Sequence, residues 1–508
     1  TNLEAGDGIH ITYTVENYNS GKLAPYFTDN HYFTLFYPVK ISNYSLLVHP
    51  TAKFKHQFSN GGFEPVKSTK EGMDLYVWEK KDIPSIKDEP FMSTIVDFGE
   101  VLYLSSIPDW KFVSNWYSDL ALTKAKSDFE VKEAAAKIFN DKDGGTNASL
   151  SKLDKAKLIH KYIVENIRYS SVSFRQSGLV PQKASKVINT RVGDCKDVST
   201  LFVALCKEAG IDSARLVLIN TRDNGKKDLL LPSIDFNHCI GNLTIDGKQY
   251  FVELTSDKNG FSTFPNTLKN SFALPVYAEN EGKSEEPFYL TAPTKIPDNI
   301  IRSSTVKISG KEMVIETKSV KTGDWASEMR YSYADIPESE RRKRLLEVLT
   351  GDNASVKLNT FTFNNLDAIS DSMVYEYNYT QGNAVNQITN LNVFSIPWSG
   401  KHTSIQFMSA EERKYPVNFW DYVEFDRSEE KLTVTFPEGK KLAETPKNVK
   451  LSCVAADYSL TYKIVNNKLE ATRVLTIKKD IVLPAEYNEL KKFFEKVVEE
   501  DTRQLAYK

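Results

Sequence analysis

Cys195 stands between two aspartates in "RVGDCKDVSTLFVALCKEAG", where an apolar helical stripe begins. Val198, Leu201, Phe202, Leu205 and Ala209 follow helical spacing, and Gly210 suits a C-terminal cap. Continued backwards by three residues, the stripe reaches Cys195, so the sulfur lies at a helix N-terminus on the packing face. Free backbone N–H groups and the positive end of the helix dipole favour an anion there, and the thiolate is the reactive form of cysteine. Asp194 and Asp197 oppose a thiolate unless their charges are directed elsewhere. Asp194 is a natural N-cap, whose carboxylate goes to backbone donors. Cysteine is also among the most buried residue types, so a small core residue is the plain alternative. Cys206, in mid-helix, reads as core.

A base for this thiol is offered by "FNHCIGNLTIDGKQYFVELTSD". Asp246-Gly247 predicts a tight hairpin with Ile245 opposite Lys248. In that register His238 lies opposite Thr255, and Glu253 and Asp257 flank it diagonally. Cys239 and Asp235 point to the other face. A carboxylate beside an imidazole fixes its tautomer and stabilises the imidazolium. The set Cys195, His238 and an acid, in that chain order, is suited to attack on an amide carbonyl. An ordinary half-buried strand histidine is the alternative.

The surrounding elements divide into three. From about residue 8 to 105 the chain reads as β, with "HYFTLFYPVKIS" and "DLYVWEKKDI" separated by turns such as "SNGG", in the manner of a sandwich. Helical patterns begin near Asp109. "SDFEVKEAAAKIF" is one, and "SKLDKAKLIHKYIVENIRY" is another, with Ser151 and Asp154 as a capping box ahead of the stripe Ala156, Ile159, Ile163 and Ile167. After the cysteine helix come strand-like runs, "ARLVLINT", "HCIGNLTI" and "QYFVELT", which makes an α+β domain. "TAPTKIPDN" reads as a linker. From Ile300 the chain is β again, with a turn at Asn466-Asn467, a helix starting near Ser339 and a closing helix after Pro484. The expected domains are a sandwich-like β domain over 1–112, an α+β catalytic domain over 113–292, and a β-rich domain with a terminal helix over 298–508.

Composition excludes several classes. With 508 residues the chain has room for about two to four domains. A net charge of -2 gives no basis for nucleic acid as a partner. No apolar run approaches the roughly 18 residues that a membrane span needs. The four cysteines form no CxxC pair and no disulfide framework, and no HExxH occurs, so neither metal nor other cofactor is expected. The start at Thr1, without a basic or strongly apolar leader, fits either a trimmed chain or a mature exported one.

The stretches "YIVENIRYS", "GDCKDVSTLFVALCKEAGIDSARLVLI", "NHCIGNL" and "YFVELT" resemble the transglutaminase-like superfamily of papain-like thiol enzymes over roughly residues 120–290. The flanks "YVWEKKDIPSIKDEPFM" and "LSSIPDWKFVSNWYSDL" resemble an uncharacterised β domain that precedes such domains in bacterial exported proteins, and the C-terminal third resembles the β domain that follows them. The resemblance implies a periplasmic or exported protein. It makes Cys195 the nucleophile and His238 the general base and acid. The family's third member is usually aspartate, and Glu253 stands at that position here; Asp257 is the alternative. The Cys195 N–H is one oxyanion donor by position. Tyr169 and Gln182 are candidates for a second, or packing and solvent-contact residues. His160 falls on a polar helix face and is expected in solvent. Lys196 and Arg191 could help to hold the thiolate, or are ordinary surface charges.

The expected activity is cysteine-dependent acyl transfer on protein or peptide amides through a thioester, with cell-wall peptide among the substrates. Hydrolysis by protease or deamidase action is favoured over transfer to an amine. The rival is a non-catalytic module that binds polypeptide or glycan, supported by the departure at Glu253.

Overall fold

The computed structural model describes residues 4, 6–16, 18–140, 150–171, 178–282, 286–291, 293–351 and 355–508. In the N-terminal region the strands are β1 (Thr28–Tyr32), β2 (Val39–Val48), β3 (Lys55–Phe58), β4 (Val66–Lys70), β5 (Met73–Ile83) and, after a short helix α1 (Ile95–Phe98), β6 (Val101–Ser105). They form two three-stranded antiparallel sheets, β1-β6-β3 and β2-β5-β4. Phe33, Trp78, Ile83, Leu102 and Leu104 are buried as one cluster. The β pattern expected from residue 8 starts later: Ile9, Ile11, Tyr13 and Val15 are exposed and no strand precedes Thr28 among the described residues.

The central region runs α2 (Trp110–Ala121), α3 (Phe129–Phe139), α4 (Lys152–Asn166), β7 (Arg168–Tyr169), α5 (Ala184–Thr190), β8 (Val192–Gly193), α6 (Cys195–Glu208), β9 (Arg215–Asn220), β10 (His238–Ile245), β11 (Lys248–Val252), β12 (Phe272–Pro275) and β13 (Phe288–Tyr289). The last five strands make an antiparallel sheet in the order β11-β10-β9-β12-β13. Strand alternation divides its side chains between two cores. Leu216 and Leu218 of β9 join the helices' Ile159, Ile163, Leu201 and Phe202, while Val217 and Ile219 join Ile240 and Phe251 on the other side.

Helix α6 is fully specified locally. Asp194 caps it and forms a reciprocal capping box with Asp197, its stripe is buried, and Gly210 takes φ +77 just past its end. Its approach to β10 depends on a missing side chain. A Cβ built on Gly241 would stand 2.7 Å from the Phe202 ring, and Ser199 Oγ donates to the Cys239 carbonyl at 3.1 Å. Gly241→Ala is therefore expected to push the strand off the helix, at a cost of about 1–3 kcal/mol. A lower thermal midpoint with reduced thiol reactivity at Cys195 would be the observed result, since β10 also carries His238.

In the C-terminal region β14 (Asn299–Ser309), β15 (Glu312–Thr322), α7 (Asp324–Tyr333), α8 (Glu338–Thr350), β16 (Val356–Phe363) and β17 (Ser372–Gln381) lead into a larger sheet. Its order is β16-β17-β15-β14, then Arg427–Thr435, Lys468–Ile477, Ala456–Val465 and Val449–Ser452. Asn466 and Asn467 both have positive φ at the predicted turn. Two expectations need correction. Helix α7 was not legible in its mixed polar sequence. The helix Tyr487–Asp501 does not close the chain: Gln504–Tyr507 follows as a strand paired with Leu391–Ser395.

The regions are tied to each other. The Glu89 carboxylate accepts from the Lys414 N–H at 3.0 Å and pairs with Arg413, and Met92 bridges to Val417. Asp371 accepts from the Ser262 N–H at 2.9 Å. The proline-containing segment read as a linker carries Asp298, which is fully buried and pairs with Lys295 at 2.6 Å and Lys269 at 3.2 Å. No helix of the described residues is long and apolar enough to cross a membrane.

Candidate active site

Helix α6 presents Cys195 from its first turn, and the start of β10 presents His238 to it. The imidazole is hydrogen-bonded to the Cys195 side chain, and its Nε2 lies 2.8 Å from Glu253 Oε2. Nδ1 is therefore the nitrogen that faces the thiol. The three groups the sequence singled out are in one hydrogen-bonded line.

The hairpin register is the predicted one, with Ile245 opposite Lys248, but its ladder ends at Gly241 and Val252. Beyond it the chain turns, and Glu253 folds back on its own backbone. Its Oε1 accepts from the Leu254 N–H at 2.9 Å, the Thr255 N–H at 2.7 Å and the Thr255 hydroxyl at 2.6 Å. That leaves Oε2 for the histidine. Asp257, expected on the same face, is instead 66% exposed and pairs with Lys258. The expectation extended a strand register past the end of the strand.

Burial opposes charge on both partners, but pairing outweighs it. The histidine is raised to about 10, chiefly by the Glu253 carboxylate and then by the Cys195 side chain. Glu253 is lowered to about 2 by His238 and by the Thr255 donors. The linkage has a definite sign. The acid's contribution to stability is complete above its ordinary value of 4.5 and fades as pH falls through about 2. The histidine's is complete below 6.5 and fades as pH rises through about 10. The thermal midpoint of the wild type, minus that of a His238→Gln/Glu253→Gln double variant, should peak near pH ~5–6 and shrink towards both extremes.

The two aspartates beside Cys195 are directed away from it. Asp194 accepts from the Asp197 N–H at 3.3 Å and pairs with Lys196. Asp197 is fully buried and accepts from the Gln182 N–H at 2.7 Å, the Gln182 side-chain amide at 2.8 Å and the Asp194 N–H at 3.2 Å. So Gln182 braces the helix start rather than meeting solvent, and Lys196 serves Asp194 rather than the sulfur. Arg191 is exposed and ends α5 in a left-handed conformation. Tyr169 is brought beside Cys195 by the parallel pairing of β7 with β8. Burial, then the Cys195 side chain, pushes its phenol up to about 12.

His160 corrects a further expectation. It is 1% exposed, not solvated, and lies on the buried side of α4 against the Phe261 ring. Burial lowers it to about 4, and it hydrogen-bonds the Glu253 backbone, so it is a neutral prop beneath the acid. Thr255, expected opposite His238, lies beyond the ladder and donates twice to Glu253 instead, a role that its place two residues after the acid could have signalled. All four cysteines are free, and Cys195 is the one that is not buried. Among the described residues no group of three or more His, Cys, Asp or Glu side chains could hold a metal ion.

The arrangement is a partly accessible thiol at a helix start, an imidazole placed to exchange its proton, and a buried carboxylate that orients the imidazole. Comparison with known proteins bears on the family and the fold. The model of the transglutaminase-like superfamily matches residues 140–263. A domain of unknown function with a solved structure, DUF3857, matches residues 1–87, and another, DUF3858, matches residues 389–507. No curated protein matches the chain. Among solved structures, a protein from Parabacteroides distasonis ATCC 8503 described as a "putative protease" is similar with a TM-score of 0.58 and 17% identity, over 95% of this chain and 75% of that one. At that identity the likeness is one of fold. Residues 140–263 thus form a transglutaminase-like family-model domain, set between a DUF3857 and a DUF3858 match.

Proposed function

We propose that the chain is a cysteine-dependent acyl-transfer enzyme acting on protein or peptide amides, with water as the favoured acceptor. The observation that carries this is the hydrogen-bonded line Cys195–His238–Glu253. His238 Nδ1 takes the thiol proton as Sγ attacks the carbonyl carbon. The tetrahedral oxyanion forms near the helix start, where the Cys195 N–H is a donor by position. As the intermediate collapses the C–N bond breaks, the imidazolium gives its proton to the departing amine, and a thioester remains. Water, deprotonated by His238, then releases the acid and restores the thiol. Glu253 holds the imidazole in the tautomer that leaves Nδ1 free and stabilises the imidazolium in each half-reaction.

The description of the Parabacteroides distasonis neighbour as a "putative protease" names the same class of reaction. The departure from aspartate supported a non-catalytic binding module, and that support weakens once the longer arm reaches His238 at 2.8 Å. An exported location and a cell-wall peptide among the substrates belong to the same proposal, on the strength of the domain order. Incubation with a peptide-amide library, followed by intact-mass detection of an acyl adduct on Cys195 and of the released amine, tests the reaction. An adduct that also forms on Cys195→Ala would overturn it.

A further inference from the structure

A cavity of about 100 Å³ adjoins the candidate nucleophile. Its walls are Trp116 and Tyr117 of α2, Leu218 of β9, Leu179, Ile234 and Phe236, and Cys195 and His238 also line it. Its two strongly polar neighbours are already engaged. Asn237 accepts from the Thr221 N–H at 2.9 Å and donates to the Thr221 hydroxyl at 2.7 Å. Lys196 is ion-paired with Asp194.

We propose that this cavity seats a small aliphatic side chain, that of valine, leucine or isoleucine, on the residue whose carbonyl Cys195 attacks. The assignment rests on the acyl-transfer reading above and adds the substrate class. Both reacting side chains border the cavity. The side chain nearest the attacked carbon is the one on its own residue, branching one atom away. Size favours an aliphatic chain over an aromatic ring: an enclosed cavity needs roughly 150 Å³ to admit benzene. The apolar walls favour an aliphatic side chain over Gln, Lys or Asp, because a buried amide or charge needs partners and the two polar groups beside the cavity each already hold one. Trp116 and Ile234, two of its bulky apolar walls, are the positions where a change of size tests this.

The test uses the full chain and peptidyl chloromethyl ketones that differ only in the residue bearing the electrophile: Gly, Ala, Val, Leu, Phe, Gln, Lys or Asp. The readout is the rate of labelling at Cys195 by mass spectrometry, expressed as a ratio between probes on the same protein. Such a ratio is insensitive to the fraction folded. Val and Leu should label about 10-fold or more faster than Gly, Gln, Lys, Asp or Phe. Ile234→Phe should collapse that preference towards Ala. Trp116→Ala should raise the Phe-to-Leu ratio about 10-fold. A flat series, or a preference for Gln, Lys or Asp, overturns the assignment. Iodoacetamide separates the two levels. If it labels Cys195 first while the peptide series is flat, the cavity assignment alone fails. If it does not favour Cys195, the thiol reading fails and takes the assignment with it.

Discussion

Cys195→Ala should abolish amide turnover, a loss on the order of 10⁶-fold in kcat if the thiol is the nucleophile. The wild type should show the same residue by its reactivity. Iodoacetamide is expected to alkylate Cys195 well before the other three cysteines. Burial pushes the thiols of Cys206, Cys239 and Cys453 up, so they stay protonated, and each is enclosed. Cys195 is partly accessible, sits at a helix N-terminus and is hydrogen-bonded to His238. His238→Ala should slow its alkylation at neutral pH and cost nearly as much turnover as loss of the thiol, because the two act as one unit. Peptide mapping that finds Cys195 no faster than Cys453 would sink the assignment.

Glu253→Gln should reduce turnover about 10³–10⁴-fold, with little change in fold. The geometry gives a specific reason. The Oε1 position is surrounded by three donors, from Leu254 and Thr255, so it must be occupied by the carbonyl oxygen of a glutamine. The amide NH₂ then faces His238 Nε2, which must accept. The ring proton is forced to Nδ1, the nitrogen that has to take the proton of Cys195. Loss of the carboxylate also removes what raises the histidine, so rapid alkylation should be confined to a narrower pH range. Asp257→Asn should change almost nothing, since that carboxylate is exposed and directed to Lys258. Glu253→Asp keeps the charge but shortens an arm that now just spans the gap, so an intermediate loss is expected. If Asp257→Asn proves the damaging change, the orienting acid has been misassigned. If neither matters, the binding-module reading becomes the better one.

What the sequence determined by itself is what short-range physics encodes. Asp194, Asp197, the stripe from Val198 to Ala209 and Gly210 define a helix that starts at Cys195, because caps and i, i+4 periodicity are local. Asp246-Gly247 fixes the hairpin register because a two-residue turn leaves one pairing. The chain order of thiol, imidazole and acid, and the alternation of β, α+β and β regions, follow from the same local patterns. Tertiary structure decided the rest. Which acid reaches His238 depended on where the β11 ladder stops and on the Leu254 and Thr255 donors that hold one oxygen. Burial of His160 depended on which side of α4 packs on Phe261, a choice its own helix does not make. The closeness of His238 to Cys195 required β10 to press on α6, which the absence of a side chain at Gly241 opposite Phe202 allows. The walls of the cavity came from α2, β9 and the loop before β10, elements far apart in the chain. Only packing of helices on a sheet brings such residues together, and no periodicity along the chain records that distance.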